Sequence, residues 1–246
     1  MYICDRMRGP LDFATNYELR RIVDGGAAEE MRNATFQACR NYVVKLECVK
    51  DDKVVGYFSG FMYHDSEPLI LTSGRIDCFG GATKYFALFY EGTSLHRRVE
   101  LQALKMGWPL GEQRTSCGTT YNAHKPDLAL FQCDYIPAHG PRPFAAAQPH
   151  VGSPVFIIGF KGKEEPQLSL CEGHVSYAGL SDLRVTADAD DGYSGSPVFN
   201  SNGFLIGMVS AGDGDTNKNV VVVPALCIHN CLCAPQPERS YPGFRG

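Results

Sequence analysis

The sequence predicts an all-β protein: two six-stranded antiparallel β-barrels with a cleft between them, preceded by a short N-terminal helix and closed by a C-terminal helix. Three observations lead there. From Asn41 onward the chain breaks into short runs that either alternate or are wholly apolar, the texture of strands rather than helices. Gly, Pro, Asp and Asn turn signals separate the runs at spacings near ~8–12 residues. The runs also fall into two sets of about six, divided between residues 135 and 150.

The elements follow in chain order. Residues 1–26 carry two turn signals, Arg8-Gly-Pro10 and Asp24-Gly-Gly26, and read as an arm. Residues 27–40 have helical composition, so the arm and short helix together span 1–40. Tyr42–Cys48 alternates, Lys50–Lys53 is a polar turn, and Val54–Tyr63 is the next strand. Glu67–Thr72, Tyr85–Tyr90, Arg97–Leu104 and Asp127–Phe131 complete a first barrel over about 41–135. A second barrel over about 150–225 takes Pro154–Phe160, Leu168–Ala178, Leu183–Ala187, Pro197–Phe199, Phe204–Ser210 and Asn219–Val223. Pro224–Cys233 reads as a helix ending the domain of residues 41–233, and the tail 234–246 carries Pro235, Pro237 and Pro242.

Composition narrows the function. A chain of 246 residues can bury a full core without a disulfide or metal staple, and 44% hydrophobic content excludes a disordered chain. Net charge is −4, from 23 Lys+Arg against 27 Asp+Glu, which lacks the basic excess of a general nucleic-acid binder. No apolar run approaches the ~18 residues of a membrane span; the longest is Val220–Ile228. Met1–Arg8 shows no leader, so the expectation is an intracellular protein, cytoplasmic or nuclear, with an organelle address left open. The ten cysteines then read as reduced thiols. Cys227, His229, Cys231 and Cys233 fit no zinc spacing and are expected as free thiols on a terminal helix. Asn33-Ala-Thr35 is a glycosylation sequon of no consequence outside the secretory pathway. Neither a cofactor nor a metal is implied.

The chemistry concentrates in Asp190-Asp-Gly-Tyr-Ser-Gly-Ser-Pro-Val-Phe199. A serine held between glycines just before a strand stands on a tight turn with its hydroxyl presented, and the turn's N–H groups can converge on an oxyanion. Alone, this could be a plain β-turn. Colinear motifs accompany it: Asp127-Leu-Ala-Leu-Phe131, Val151-Gly-Ser-Pro-Val-Phe-Ile-Ile-Gly159, Gly173-His-Val-Ser176 and Asn202-Gly-Phe-Leu-Ile-Gly-Met-Val209. Together they resemble the chymotrypsin-like (trypsin-like) serine peptidases, and the Deg/HtrA branch more than the secreted trypsins, from about Asn41 to Leu232. The glycine excess, 26 residues, is partly explained because Gly159, Gly173, Gly192, Gly195 and Gly207 fall in these motifs.

The resemblance implies the trypsin-like two-barrel fold and peptide or protein partners. It implies Ser194 as nucleophile, Asp127 as the triad aspartate, and Gly192 and Ser194 as the oxyanion hole. It also exposes a gap. The segment that should supply the histidine base is Leu69-Ile-Leu-Thr-Ser-Gly-Arg75, with Arg75 in the histidine position. A guanidinium with a pKa above ~12 cannot take the serine proton. Losing a triad member leaves only ~10³–10⁴-fold residual catalysis. Of His64, His96, His124, His139, His150 and His174, with His229 in the terminal segment, most read as exposed loop or turn residues, and His124, three residues before Asp127, is the nearest candidate to rescue a base. Arg75 is expected to face Asp127 as a bidentate pair.

Two further departures accompany it. Tyr193 stands where trypsins have Asp, and Ser196 replaces a glycine. By trypsin-like counting Asp188 falls at the floor of the specificity pocket, although a solvated acidic loop is the other reading. The sequence therefore points to a peptidase homologue with lost or impaired catalysis, against an active endopeptidase with an unorthodox base or a pure interaction module. Deg-type relatives often form homo-oligomers and carry PDZ domains, and the stretch after Leu232 is too short for one.

Overall fold

The computed structural model describes residues 28–63, 68–79, 84–91, 94–106, 127–135, 147–162, 167–179, 182–189, 192–212 and 219–233. Strands β1 (Val43–Lys50), β2 (Lys53–Met62), β3 (Leu69–Thr72), β4 (Lys84–Glu91), β5 (Ser94–Met106) and β6 (Ala129–Cys133) close one barrel. Strands β7 (Pro154–Phe160), β8 (Leu168–Ala178), β9 (Leu183–Ala187), β10 (Pro197–Asn200), β11 (Leu205–Gly212) and β12 (Asn219–Pro224) close the other. The first runs β1-β2-β3-β6-β5-β4 around the barrel, and the second repeats that order with six added to each number. All pairs are antiparallel. Helix α1 (Ala28–Cys39) leads in and α2 (Ala225–Cys233) leads out.

Local chemistry accounts for these elements. Leu183-Arg-Val-Thr-Ala187 alternates buried and exposed along β9, so one face fills the barrel while the other meets water. The β1–β2 hairpin closes through Asp51 and Asp52, both left-handed at φ 49° and 59°, the conformation of a two-residue primed turn. Ladder pairing carries β1 to Lys50, past the expected end at Cys48. Strand β5 extends to Ser94–Met106, beyond the expected Arg97–Leu104, because pairing with β4 and β6 holds a stretch whose charged residues hide any alternation. The sixth strand starts at Ala129, later than expected, because Asp127 is spent on side-chain contacts described below.

Three apolar clusters hold the molecule together. Leu46, Phe58, Ile70 and Phe131 fill the first barrel, and Val155, Ile157, Val185, Ile206 and Val222 fill the second. The third lies between them. Phe61, Leu71, Leu128 and Leu130 from one barrel meet Ile158, Phe160, Phe199 and Met208 from the other, and Cys39 of α1 with Ile228 and Leu232 of α2 seals the edge. Burying such side chains stabilises by about 1.5–3 kcal/mol each, so this seam is as much a core as either barrel interior. Among the described residues no helix is long and apolar enough to cross a membrane.

Candidate active site

The polar part of the seam begins at Ser59 of β2. Its N–H donates to the Ser194 carbonyl (3.0 Å), its hydroxyl donates to the Gly192 carbonyl (2.8 Å) and accepts from the Phe160 N–H (2.9 Å). Its own carbonyl accepts from the Thr72 hydroxyl (2.7 Å). One buried residue of the first barrel thus grips the serine turn of the second on both flanks. On the turn's other side Gly195 N–H donates to Val209 O and Val209 N–H to Ser196 O, both at 2.8 Å.

That grip dictates the glycines. Gly192 and Gly195 are left-handed at φ 101° and 87°, where a side chain is strained. A Cβ at Gly195 would overlap the Ser59 carbonyl and the Thr72 hydroxyl, and one at Gly192 would lie 2.6 Å from the Phe160 carbonyl. Ser194 between them is half-buried. The N–H groups of Gly192 and Ser194 donate to no acceptor among the described residues, so both remain available to a ligand oxygen. Tyr193 turns inward, 2% exposed, and its hydroxyl meets Ser169 of β8 at 2.6 Å; Ser169 in turn donates to Gly159 O. The tyrosine anchors the turn with a neutral hydrogen bond where a carboxylate would need a cation.

Asp127 lies 3% exposed at the end of the first barrel. Its Oδ2 accepts from the Ser73 hydroxyl (2.9 Å) and from the Ser210 hydroxyl, and its Oδ1 accepts from the Arg75 backbone N–H (3.0 Å). A β-bulge aims Ser210: the β11–β12 register skips from Val209 to Ala211, leaving Ser210 out of the ladder and pointing across the seam. The 3-10 helix Gly74–Phe79, following directly on β3 and Ser73, brings the Arg75 N–H into range. Burial pushes the Asp127 carboxyl above its ordinary value, against the opposing pull of Ser210, the Arg75 charge, Ser73 and the Arg75 N–H.

The Arg75 side chain does face Asp127, yet not as the expected bidentate fork. Its Nε stands 3.6 Å from Oδ2, a charge contact too long for a hydrogen bond. The physical reason is occupancy: the two serine hydroxyls already fill the lone pairs of Oδ2. The side chain keeps 28% of its surface exposed.

The other expected residues scatter. Asp188 is exposed just after β9, and its carbonyl accepts from the Cys171 thiol (3.1 Å). His96, His150, His174 and His229 are exposed as expected, but only His150 lies in a loop; His96 and His174 sit on β5 and β8, and His229 on α2. Strand positions suit them because their rings project from outward faces. His64, His124 and His139 lie outside the described residues, as do the arm 1–26, Ala27 and the tail 234–246. On α2, Cys227 and Cys231 pack half-buried against the seam while His229 is exposed, and no group of three metal-ligating side chains gathers among the described residues. The Cys39 thiol is pushed up to about 12 by burial, which keeps it an inert core residue.

Sequence reading missed Ser59, Thr72, Ser73 and Ser210. Hydroxyl residues in a strand, as Ser59, Thr72 and Ser210 are, or just past its end, as Ser73 is, look like ordinary surface positions. The one available signal was Val209-Ser-Ala-Gly212, where a glycine closing an apolar strand hints at a bulge.

A family model described as a trypsin-like peptidase domain matches residues 58–208, a span that includes Ser59, Arg75, Asp127 and Ser194. Among solved structures, the serine endoprotease from Yersinia pestis is similar with a TM-score of 0.63 at 18% identity, over 85% of this chain and 67% of that one. The active form of the Rv3671c protease from M. tuberculosis matches with a TM-score of 0.61 at 20% identity, over 84% of this chain and 87% of that one. These structural likenesses establish the shared fold. No curated protein matches the chain.

Proposed function

The chain belongs to the family of trypsin-like peptidase domains, and on that premise we propose that it is a serine peptidase homologue that binds peptide or protein at the barrel seam while its hydrolytic power is lost or strongly impaired. Ser194 takes the nucleophile position, Gly192 and Ser194 the oxyanion-binding N–H groups, and Asp127 the acid position. Arg75 stands where the base would. The observation that carries this reading is the set of partners around Asp127. Two serine hydroxyls, a backbone N–H and a guanidinium surround the carboxylate, and none of them can accept a proton from Ser194 and return it to a leaving amine. Two unspent N–H groups on the serine turn support retention of an oxygen-binding function.

The test is covalent labelling. A fluorophosphonate reacts quickly only with a serine whose proton is taken by a base. The native protein is expected to label at Ser194 no faster than a Ser194→Ala control. Rapid labelling at Ser194 would instead establish a working endopeptidase with an unorthodox base.

A further inference from the structure

We infer that Cys227 and Cys231 of α2 form a binding site for a soft monovalent metal ion, copper(I), held between two thiolates. The inference stands apart from the serine turn and from the reading of the seam as peptide-binding. It begins with spacing. The two cysteines lie four residues apart within Ala225–Cys233, about one turn of helix, so their Cβ atoms sit about 5–6 Å apart on one face. Disulfides hold Cβ atoms about 3.5–4.5 Å apart, so the pair cannot close on itself while the helix stays intact. Both are thiols. A single atom bonded to each sulfur at ~2.3 Å fits between them.

Burial places the pair at the rim of the helix contact. Ile228 and Leu232, each one position further along, are buried in the seam, while Cys227 and Cys231 are half-buried against the same cluster. Leu226, His229 and Asn230 are exposed. An ion can therefore reach the sulfurs from water and be shielded by apolar side chains once bound. Burial raises the Cys227 thiol, and so does the charge of Cys231, which puts the two sulfurs within electrostatic reach of each other. A cation between them turns that repulsion into attraction.

The number of ligands selects the ion. His229 is exposed and two residues from either cysteine, a spacing at which helix side chains do not face each other. Cys39 shares the apolar cluster, but burial pushes its thiol up to about 12 and keeps it protonated. Among the described residues no group of three ligating side chains gathers. Zinc takes four ligands, whereas copper(I), a soft ion with a filled d shell, is satisfied by two thiolates on opposite sides. Binding exchanges two protons for one ion. Each S–H gives its proton to solvent, two copper–sulfur bonds form, and the copper stays monovalent. A thiol S–H is a weak donor, so the contacts made through it are given up at small cost.

Competition for copper(I) tests the site, with the full chain, bathocuproine disulfonate as the coloured competitor, and ascorbate under anaerobic conditions. The native chain is expected to hold one equivalent more than the Cys227→Ser/Cys231→Ser double variant. Either single variant should bind that equivalent about a hundredfold or more weakly, the gain that a second ligand on the same scaffold supplies. Equal uptake by the native chain and the double variant would overturn the site, as would native affinity in either single variant. X-ray absorption at the copper edge of the loaded native chain keeps the test independent of how the variants fold. Two sulfur neighbours are expected, and an imidazole nitrogen or a third sulfur would overturn the two-thiolate arrangement. Displacement of the copper(I) by an equal concentration of zinc would overturn it as well.

Discussion

The two barrels share one strand order, yet they furnish the site by different means. The second barrel presents Ser194 on a turn defined by backbone: two left-handed glycines, a carbonyl to Ser59 N–H and an N–H to Val209 O. The first barrel encloses Asp127 with side chains: Ser73, Arg75 and, reaching across, Ser210. A site made of backbone tolerates changes in side-chain identity provided the glycines stay. A site made of side chains changes chemistry with each substitution, and the reading of Arg75 as a replaced base places the loss of proton transfer on that side.

The largest expected effect probes the aspartate side through activity. An imidazole at position 75 would need a lone pair of Asp127 Oδ2, and both are taken by Ser73 and Ser210. Arg75→His alone is therefore expected to leave peptide hydrolysis near background. Ser73→Ala combined with Arg75→His frees one lone pair and should exceed the single variant by about tenfold or more. Equal rates for the two variants in a fluorogenic peptide assay would show that Ser73 does not compete for the carboxylate.

The serine side is broken through its backbone. Gly195→Ala forces a Cβ into the Ser59 carbonyl at a left-handed φ, and adding strain to overlap gives an expected loss of about 3 kcal/mol or more in urea unfolding. A loss below about 1 kcal/mol would mean the turn can open without parting the barrels.

Asp127 sharpens the comparison through pH. Its folded carboxyl lies above the ordinary 3.8, so the native state binds more protons than the unfolded state between that value and the folded one. Stability from this group is accordingly greatest at low pH and falls as pH rises through that window. Asp127→Asn removes the slope. The stability difference, native minus variant, should shrink as pH is raised from 4, and a difference that grows would reverse the sign of the burial effect.

Smaller effects complete the series. Ser210→Ala deletes one donor to a buried carboxylate and should cost about 1–2 kcal/mol. Tyr193→Phe removes only the hydroxyl bonded to Ser169, and about 1 kcal/mol is expected. Chemical denaturation ranks both. If Tyr193→Phe costs more than Ser210→Ala, the division between a backbone-built and a side-chain-built half fails.

Legibility in the sequence divides along the same line. Strands such as Leu183–Ala187 and Pro154–Phe160 were readable because barrel walls impose alternation or continuous apolarity. The turn at Gly192–Gly195 was readable because glycine spacing reports backbone shape directly. The enclosure of Asp127 was not. Ser73, Ser210 and Ser59 gain their meaning only from a bulge, a 3-10 helix and the docking of two barrels, which bring together residues 54, 83 and 133 positions apart. Arg75 stood out in the sequence as the residue at the position expected for a base, but its guanidinium geometry did not, since that depends on hydroxyls that no local pattern announces.

The four bonds at Ser59 have a consequence for how the serine turn should be regarded. They make the turn a mortise: the shape that holds a hydroxyl forward is also the shape that lets one barrel lock into the other. A chain with this architecture must fold such a turn merely to close its own joint, whether or not it ever cleaves a bond. The well-formed serine turn is joinery first, and any chemistry done there is a second use of it.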